Sequence, residues 1–166
     1  MNDFNKIKDV INGQEFKDLA ISLERLLTSI PAMAPESGGD GEEKKAHALE
    51  EYLISLGFPN AQYYAPDDRV STKRRPNMLF TLKGKKEEAL WIISHLDVVP
   101  PGDTHLWKES PWDLQVQGDK IIGRGVEDDQ QGLTSSVLAA LPFIREGIQP
   151  DYTVKLLFVA DEEVGS

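Results

Sequence analysis

The stretch Ala89-Leu90-Trp91-Ile92-Ile93-Ser94-His95-Leu96-Asp97 runs from an apolar segment straight into a His-x-Asp pair. Ala89 to Ser94 reads as a strand, and the unbroken Trp91-Ile92-Ile93 run suits a strand covered on both faces. A Gly-Lys-Lys turn separates it from an earlier strand, Asn77 to Leu82. A further apolar strand over residues 152–160 ends in Leu156-Leu157-Phe158-Val159-Ala160 and leads directly into Asp161-Glu162-Glu163. Between the last two strands a helical stripe of Leu133, Val137, Leu138, Leu141 and Ile144 spans residues 130–145, and Gly147 and Pro150 close it.

Upstream, Phe16, Leu19, Ala20, Leu23, Leu26, Leu27 and Ile30 mark a helix over 16–30 that Pro31 ends. Residues 31–42 form a loop. Ala46, Leu49, Leu53 and Leu56 mark another helix, with Gly57 as its stop. Residues 112–122 suggest a short hairpin around Gly118-Asp119. Helices interleaved with buried strands predict a three-layer α/β/α domain on a mostly parallel mixed sheet.

Composition narrows the chemistry. The chain has 166 residues, two fifths of them hydrophobic, enough for one domain with a core. Its 18 basic and 28 acidic residues leave a formal charge of -10, which argues against nucleic-acid binding, since phosphates call for a basic footprint. With no cysteine, thiolate metal sites, disulfides and cysteine nucleophiles are excluded, so any metal is held by His, Asp and Glu. No signal peptide and no apolar run long enough to span a bilayer is visible, which makes a cytoplasmic protein the expectation.

Three charged clusters stand at the ends of apolar elements: His95-Leu96-Asp97, Glu127-Asp128-Asp129 and Asp161-Glu162-Glu163. In open α/β sheets, ligands gather beyond the carboxyl ends of strands. Two clusters hold that position and the third starts the helix between them, so they can converge. Imidazole and carboxylate suit a borderline divalent cation, and Asp97 is spaced to fix the tautomer of His95. Each cluster alone has a plain structural reading: a chance His-x-Asp, a helix N-cap, a solvated turn. Their recurrence at consecutive strand ends is what favours a site.

The segments Ser94 to Gly102, Gly123 to Asp129 and Asp161 to Ser166 resemble, in order, the three signature segments of the M20 metallopeptidase family. That family includes acetylornithine deacetylase, succinyl-diaminopimelate desuccinylase, carboxypeptidase G and several dipeptidases. Trp107 and Ser110-Pro111-Trp112 resemble the family's tryptophan and Asp-Pro-Phe turn. The resemblance implies that His95 is a ligand of one metal, with Asp97 as its orienting carboxylate. It implies that Asp128 bridges two metals and precedes a cis peptide, that Glu162 is the general base, and that Glu163 binds the second metal. Two zinc ions, replaceable by cobalt or manganese, are the implied cofactor. The implied reaction is hydrolysis of an amide bond in a small N-acyl amino acid or dipeptide by a metal-bridging water.

The sequence departs from the family at Ser94, where glycine is usual, and at Gln130, where a lysine commonly stands. The family's remaining metal carboxylate and last histidine lie beyond Glu163, as does the lid or dimerisation domain. The chain therefore reads as the N-terminal part of a catalytic domain, weak in metal binding and inactive by itself, from a protein whose relatives often form homodimers. A non-catalytic scaffold and a two-metal phosphohydrolase are the rival classes. His47, placed among Lys44, Lys45 and Glu50, reads as solvated. His105 follows the first cluster closely enough for a substrate role. Lys73-Arg74-Arg75 reads as an exposed basic loop.

Overall fold

The structure is a computed structural model and describes residues 3–164. Gly165 and Ser166, the end of the third signature segment, lie outside the described residues. In chain order the elements are α1 (Asp3–Ile11), α2 (Gln14–Ser29), α3 (Glu43–Ser55), β1 (Gln62–Pro66), β2 (Arg74–Leu82) and β3 (Lys86–His95). They are followed by β4 (Gln115–Gln117), β5 (Lys120–Ile122), α4 (Gln131–Arg145) and β6 (Tyr152–Val159). The expected hairpin is the β4–β5 pair, with Gly118 supplying the left-handed turn residue (φ 64°). No helix among the described residues is long and apolar enough to cross a membrane.

The main sheet has the order β1-β2-β6-β3. β1 and β2 pair antiparallel, as do β2 and β6, while β3 and β6 run parallel. The α/β class and the mixed sheet are those expected, but only one of these three pairings is parallel. The sequence predicts a mostly parallel mixed sheet and marks no strand over Gln62–Pro66. That short segment carries two tyrosines and ends at a proline, which suits a sheet edge.

Strand alternation places Met78 and Phe80 of β2 and Leu156 and Phe158 of β6 on one face, all fully buried. Leu23 and Leu27 of α2, Ala46, Leu49 and Leu53 of α3, and Leu133, Val137 and Leu141 of α4 close over that face in one continuous cluster. Phe80 anchors it, its ring 5.9 Å from Phe158 and 6.3 Å, edge-on, from Phe58.

The opposite face is open, so among the described residues the fold has one helical layer rather than two. The expectation that Trp91-Ile92-Ile93 is covered on both sides is corrected accordingly. Among the described residues β3 is an edge strand bonded only to β6, and Ile92 packs toward the core. Trp91 and Ile93 point away from it, 47% and 62% exposed. An apolar run shows that both faces are to be covered, but not that the cover lies within the same 166 residues.

Phe80→Ala should therefore cost about 3–5 kcal/mol of unfolding free energy, whereas Ile93→Thr should stay within about 0.5 kcal/mol of wild type in this chain. Urea melts followed by circular dichroism compare the two directly.

Candidate active site

The parallel register pairs Ser94 with Phe158 and His95 with Val159, so β3 and β6 end side by side. Leu96 N–H continues the ladder to Val159 O at 2.8 Å, and its side chain is buried. Val98 N–H is held by Ala32 O at 3.0 Å. These bonds fix the chain on both sides of Asp97.

Asp97 is buried to 1% exposure and touches both strand ends. Its carboxylate accepts the backbone N–H of Glu162 at 3.2 Å and of Glu163 at 2.9 Å. His95 Nδ1 lies 3.4 Å from the same carboxylate and 3.0 Å from the Asp97 carbonyl oxygen. A ring N–H at Nδ1 donates there and leaves Nε2 to face outward. Nε2 lies 3.0 Å from Asp128 Oδ1 and 3.8 Å from Glu162 Oε2.

Residues Val126–Gln130 form an irregular turn into α4, with Asp128 extended (φ -124°, ψ 98°) and the Asp128–Asp129 peptide cis. Asp129 Oδ2 accepts the His95 N–H at 3.4 Å. The turn begins at Gly125 in left-handed conformation (φ 86°), where a Cβ would come within 2.6 Å of both Gln130 Nε2 and Val98. Gln130 is buried: it accepts from Thr28 Oγ1 at 2.9 Å, donates its side-chain amide to Arg124 O, and its backbone N–H bonds Gly125 O. Gln130 thus puts a neutral amide here that ties α2 to the turn.

His95, Asp128 and Glu163 each offer a ligand atom within 4.8 Å of the other two. Asp128 and Glu163 line a cleft of about 720 Å³ together with Arg124, Glu127 and Gln131, and His95 stands behind them against Asp128. One imidazole nitrogen and two carboxylates are a donor set that fits a zinc-like divalent cation. The local charge fits too. Burial by itself would lower the His95 pKa, but the carboxylates of Asp97 and Asp128 outweigh it and hold the ring at about 9. Burial and the negative field of Asp128 raise Glu163. Burial also acts to raise Asp97, yet His95 and the two turn amides leave it below the usual carboxylate range. The outward face of this cluster attracts positive charge.

The other singled-out residues fall elsewhere. His105 is exposed in a short turn capped by Asp103. His47 is exposed and pairs with Glu51 at 3.6 Å. Trp107 donates Nε1–H to Pro101 O and lies under the guanidinium of Arg124 at 5.7 Å.

Three residues escaped the sequence reading. Lys45, at 1% exposure, donates Nζ–H to Leu96 O at 3.1 Å. Burial lowers its pKa to about 8 against the opposing pull of Asp97, Glu42 and Glu24. Arg75 is buried with Glu42 and Asp161, which corrects the expectation of an exposed basic loop. Glu24 is buried beside Thr134 and Lys45, and desolvation pushes its carboxyl up to about 7. Lys45 stands four residues before Leu49 of the apolar stripe and Glu24 three before Leu27. A charged residue at helical spacing from core positions is the one available signal.

Residues 91–166 match the family model described as Peptidase family M20/M25/M40. The match places this segment among sequences similar to the M20/M25/M40 peptidases. An uncharacterized metallohydrolase of Methanocaldococcus jannaschii is 39% identical over 154 residues, which is 89% of this chain and 37% of the relative. A succinyl-diaminopimelate desuccinylase of Psychrobacter sp. is 26% identical over 141 residues, 84% of this chain and 35% of the relative. Among solved structures, an M20 family metallo-carboxypeptidase from Sulfolobus solfataricus superposes with a TM-score of 0.72 at 26% identity, over 89% of this chain and 32% of that one. The chain spans about a third of the length of these relatives.

Glu24 allows a pH test of the buried layer behind the His95–Asp128–Glu163 cluster. Its folded pKa, about 7, lies above the ordinary 4.5. The native state therefore binds the proton more tightly, and this contribution is complete below pH 4.5 and lost as pH rises through 7. Glu24→Gln mimics the protonated form, so it should flatten the fall in Tm across that window and raise Tm at pH 8. An unchanged Tm profile would show that Glu24 does not drive it.

Proposed function

We propose that this chain is the N-terminal portion of an M20-type catalytic domain, and that the complete polypeptide hydrolyses the amide bond of a small N-acyl amino acid or peptide. The observation that carries the reading is the convergence of His95, Asp128 and Glu163 within 4.8 Å of one another beside a cleft that Asp128 and Glu163 line, with Glu162 near His95. Support for the amide-hydrolase class comes from the family match and from relatives named as desuccinylase and metallo-carboxypeptidase. The latter name favours a peptide as the second candidate substrate.

His95, Asp128 and Glu163 would hold the metal. The metal would be zinc, two ions per complete site, with the further ligands coming from the rest of the polypeptide. A bound divalent cation supplies Lewis acidity toward the scissile carbonyl and acidifies water. Glu162 is 58% exposed on its side chain and makes no hydrogen bond that would hold its carboxylate away from the cleft among the described residues. It takes a proton from the attacking water as the water oxygen bonds to the carbonyl carbon. As the C–N bond breaks, the same carboxyl gives that proton to the leaving amine. Asp97 acts behind the reacting atoms, fixing the His95 ring and the two glutamate amides.

The open sheet face suits the same reading. Leu79, Trp91, Leu157 and Val159 line an apolar depression on one side of β3, and Leu90 and Phe143 line another on its helix side. We propose that the rest of the catalytic domain covers them.

The test uses the complete polypeptide loaded with zinc or cobalt. Release of amine from acetylornithine, succinyl-diaminopimelate or small dipeptides should be abolished by chelator. Glu162→Gln should keep the metal and lose roughly 10²–10⁴-fold in kcat. Normal turnover by Glu162→Gln would remove it from the base role, and metal-free, chelator-insensitive turnover would remove the metallohydrolase reading.

A further inference from the structure

Glu162 and Glu163 are adjacent, yet the proposed reaction needs one to move protons and the other to hold a cation. Their directions are set where β6 ends, and there the chain is unusually constrained. Asp161 has a left-handed backbone (φ 67°), a region that residues bearing a Cβ rarely adopt. Something must hold it there.

The hold comes from β2. The antiparallel register pairs Met78 with Phe158, and continuing it brings Arg75 level with Asp161. Asn77 Oδ1 accepts the Ala160 N–H at 2.9 Å. Two residues earlier, Arg75 Nη1 forms an ion pair with Asp161 Oδ1 at 2.5 Å. The guanidinium cannot drift, because Nε and Nη2 donate to the two carboxylate oxygens of Glu42, which is fully buried next to α3. Arg69 also reaches Asp161, with Nη2 donating to Oδ2 at 2.9 Å. Its side chain is 47% exposed, against 2% for Arg75, so solvent screens its pull.

We infer that Arg75, locked by Glu42, is a positioning residue for the Glu162–Glu163 pair, acting through Asp161. The inference rests on the metallohydrolase reading for its purpose, though not for its geometry. Asp97 grips the backbone of the turn from the β3 side, and Arg75 grips the side chain preceding it from the β2 side. With both grips in place Glu163 faces His95 and Asp128. Without Arg75 the left-handed residue relaxes, the two glutamate amides leave Asp97, and the metal loses a pre-placed carboxylate. A residue that orients a ligand in this way is worth on the order of 10–100-fold in metal affinity.

The experiment has two arms and three variants. In this chain, amide hydrogen exchange is followed by NMR for Arg75→Met, Asp161→Asn and Arg69→Ala. In the complete polypeptide, zinc affinity is measured by competition with a chelating dye. For Arg75→Met and Asp161→Asn, the Glu162 and Glu163 amides should exchange at least about 10-fold faster while the Leu156 and Phe158 amides stay protected. Zinc should bind on the order of 10–100-fold more weakly. Arg69→Ala should change either readout less than about threefold.

Arg75→Met leaves Glu42 buried without its partner, and that variant can unfold. Asp161→Asn keeps the Arg75–Glu42 pair intact and decides the matter in that case. Turn amides as protected as in wild type, or a uniform loss of protection across β6 in Asp161→Asn, would overturn the inference. If the wild-type polypeptide bound no zinc, the proposed function would fail, while the exchange arm would still decide the role of Arg75.

Discussion

The parallel pairing of β3 with β6 is the constraint from which the site follows. Two strands that run the same way end at the same edge, and the register that sets His95 against Val159 makes the following residues neighbours. His95 to Asp97 and Asp161 to Glu163 then share one small volume although they are far apart in sequence. An antiparallel pairing of the same two strands would send the clusters to opposite edges of the sheet. The long connection between β3 and β6 contains α4, and its entry turn delivers Asp128 to the same edge.

Holding acidic groups that close together needs compensation, and the fold supplies it from behind. Asp97 is buried but accepts two backbone amides and faces the His95 ring, so its charge is spread over hydrogen bonds rather than left in a low-dielectric interior. Lys45 sits behind Leu96 and contributes positive charge without entering the cleft. Arg75 does the same behind Asp161. The cluster's outer side therefore remains negative and open, while its inner side is neutralised. This polarity suits the capture of a cation.

These buried ionic groups are poor sources of stability. Glu24, Lys45, Glu42 and Arg75 all lie in or beside the core, where a well-packed apolar residue of similar size often serves folding equally well. Their common feature is proximity to the segments that carry the cluster. Lys45 bonds the carbonyl between His95 and Asp97, and Arg75 holds the residue before Glu162. They are better understood as fixing a few side-chain directions than as holding the domain together.

The sequence by itself determined the elements that carry long apolar patterns. The stripes of α2, α3 and α4 and the runs of β2, β3 and β6 are written in residue spacing, because burial of one face imposes a period. It also offered the three charged clusters, two directly after apolar strands and one before a helix, and the family resemblance singled out His95, Asp97, Asp128, Glu162 and Glu163 within them. Only the tertiary structure decided which strands pair and in which direction, that β3 is an edge with Trp91 and Ile93 uncovered, and that Lys45 and Arg75 are buried. The physical reason is range. A hydrophobic period is a property of a few consecutive residues, whereas the partner of a buried charge is chosen by the whole fold. Arg75 finds Glu42 33 positions away and Asp161 in the turn after a strand much later in the chain. Nothing in Lys73-Arg74-Arg75 distinguishes the arginine that the core encloses from the one it leaves in water.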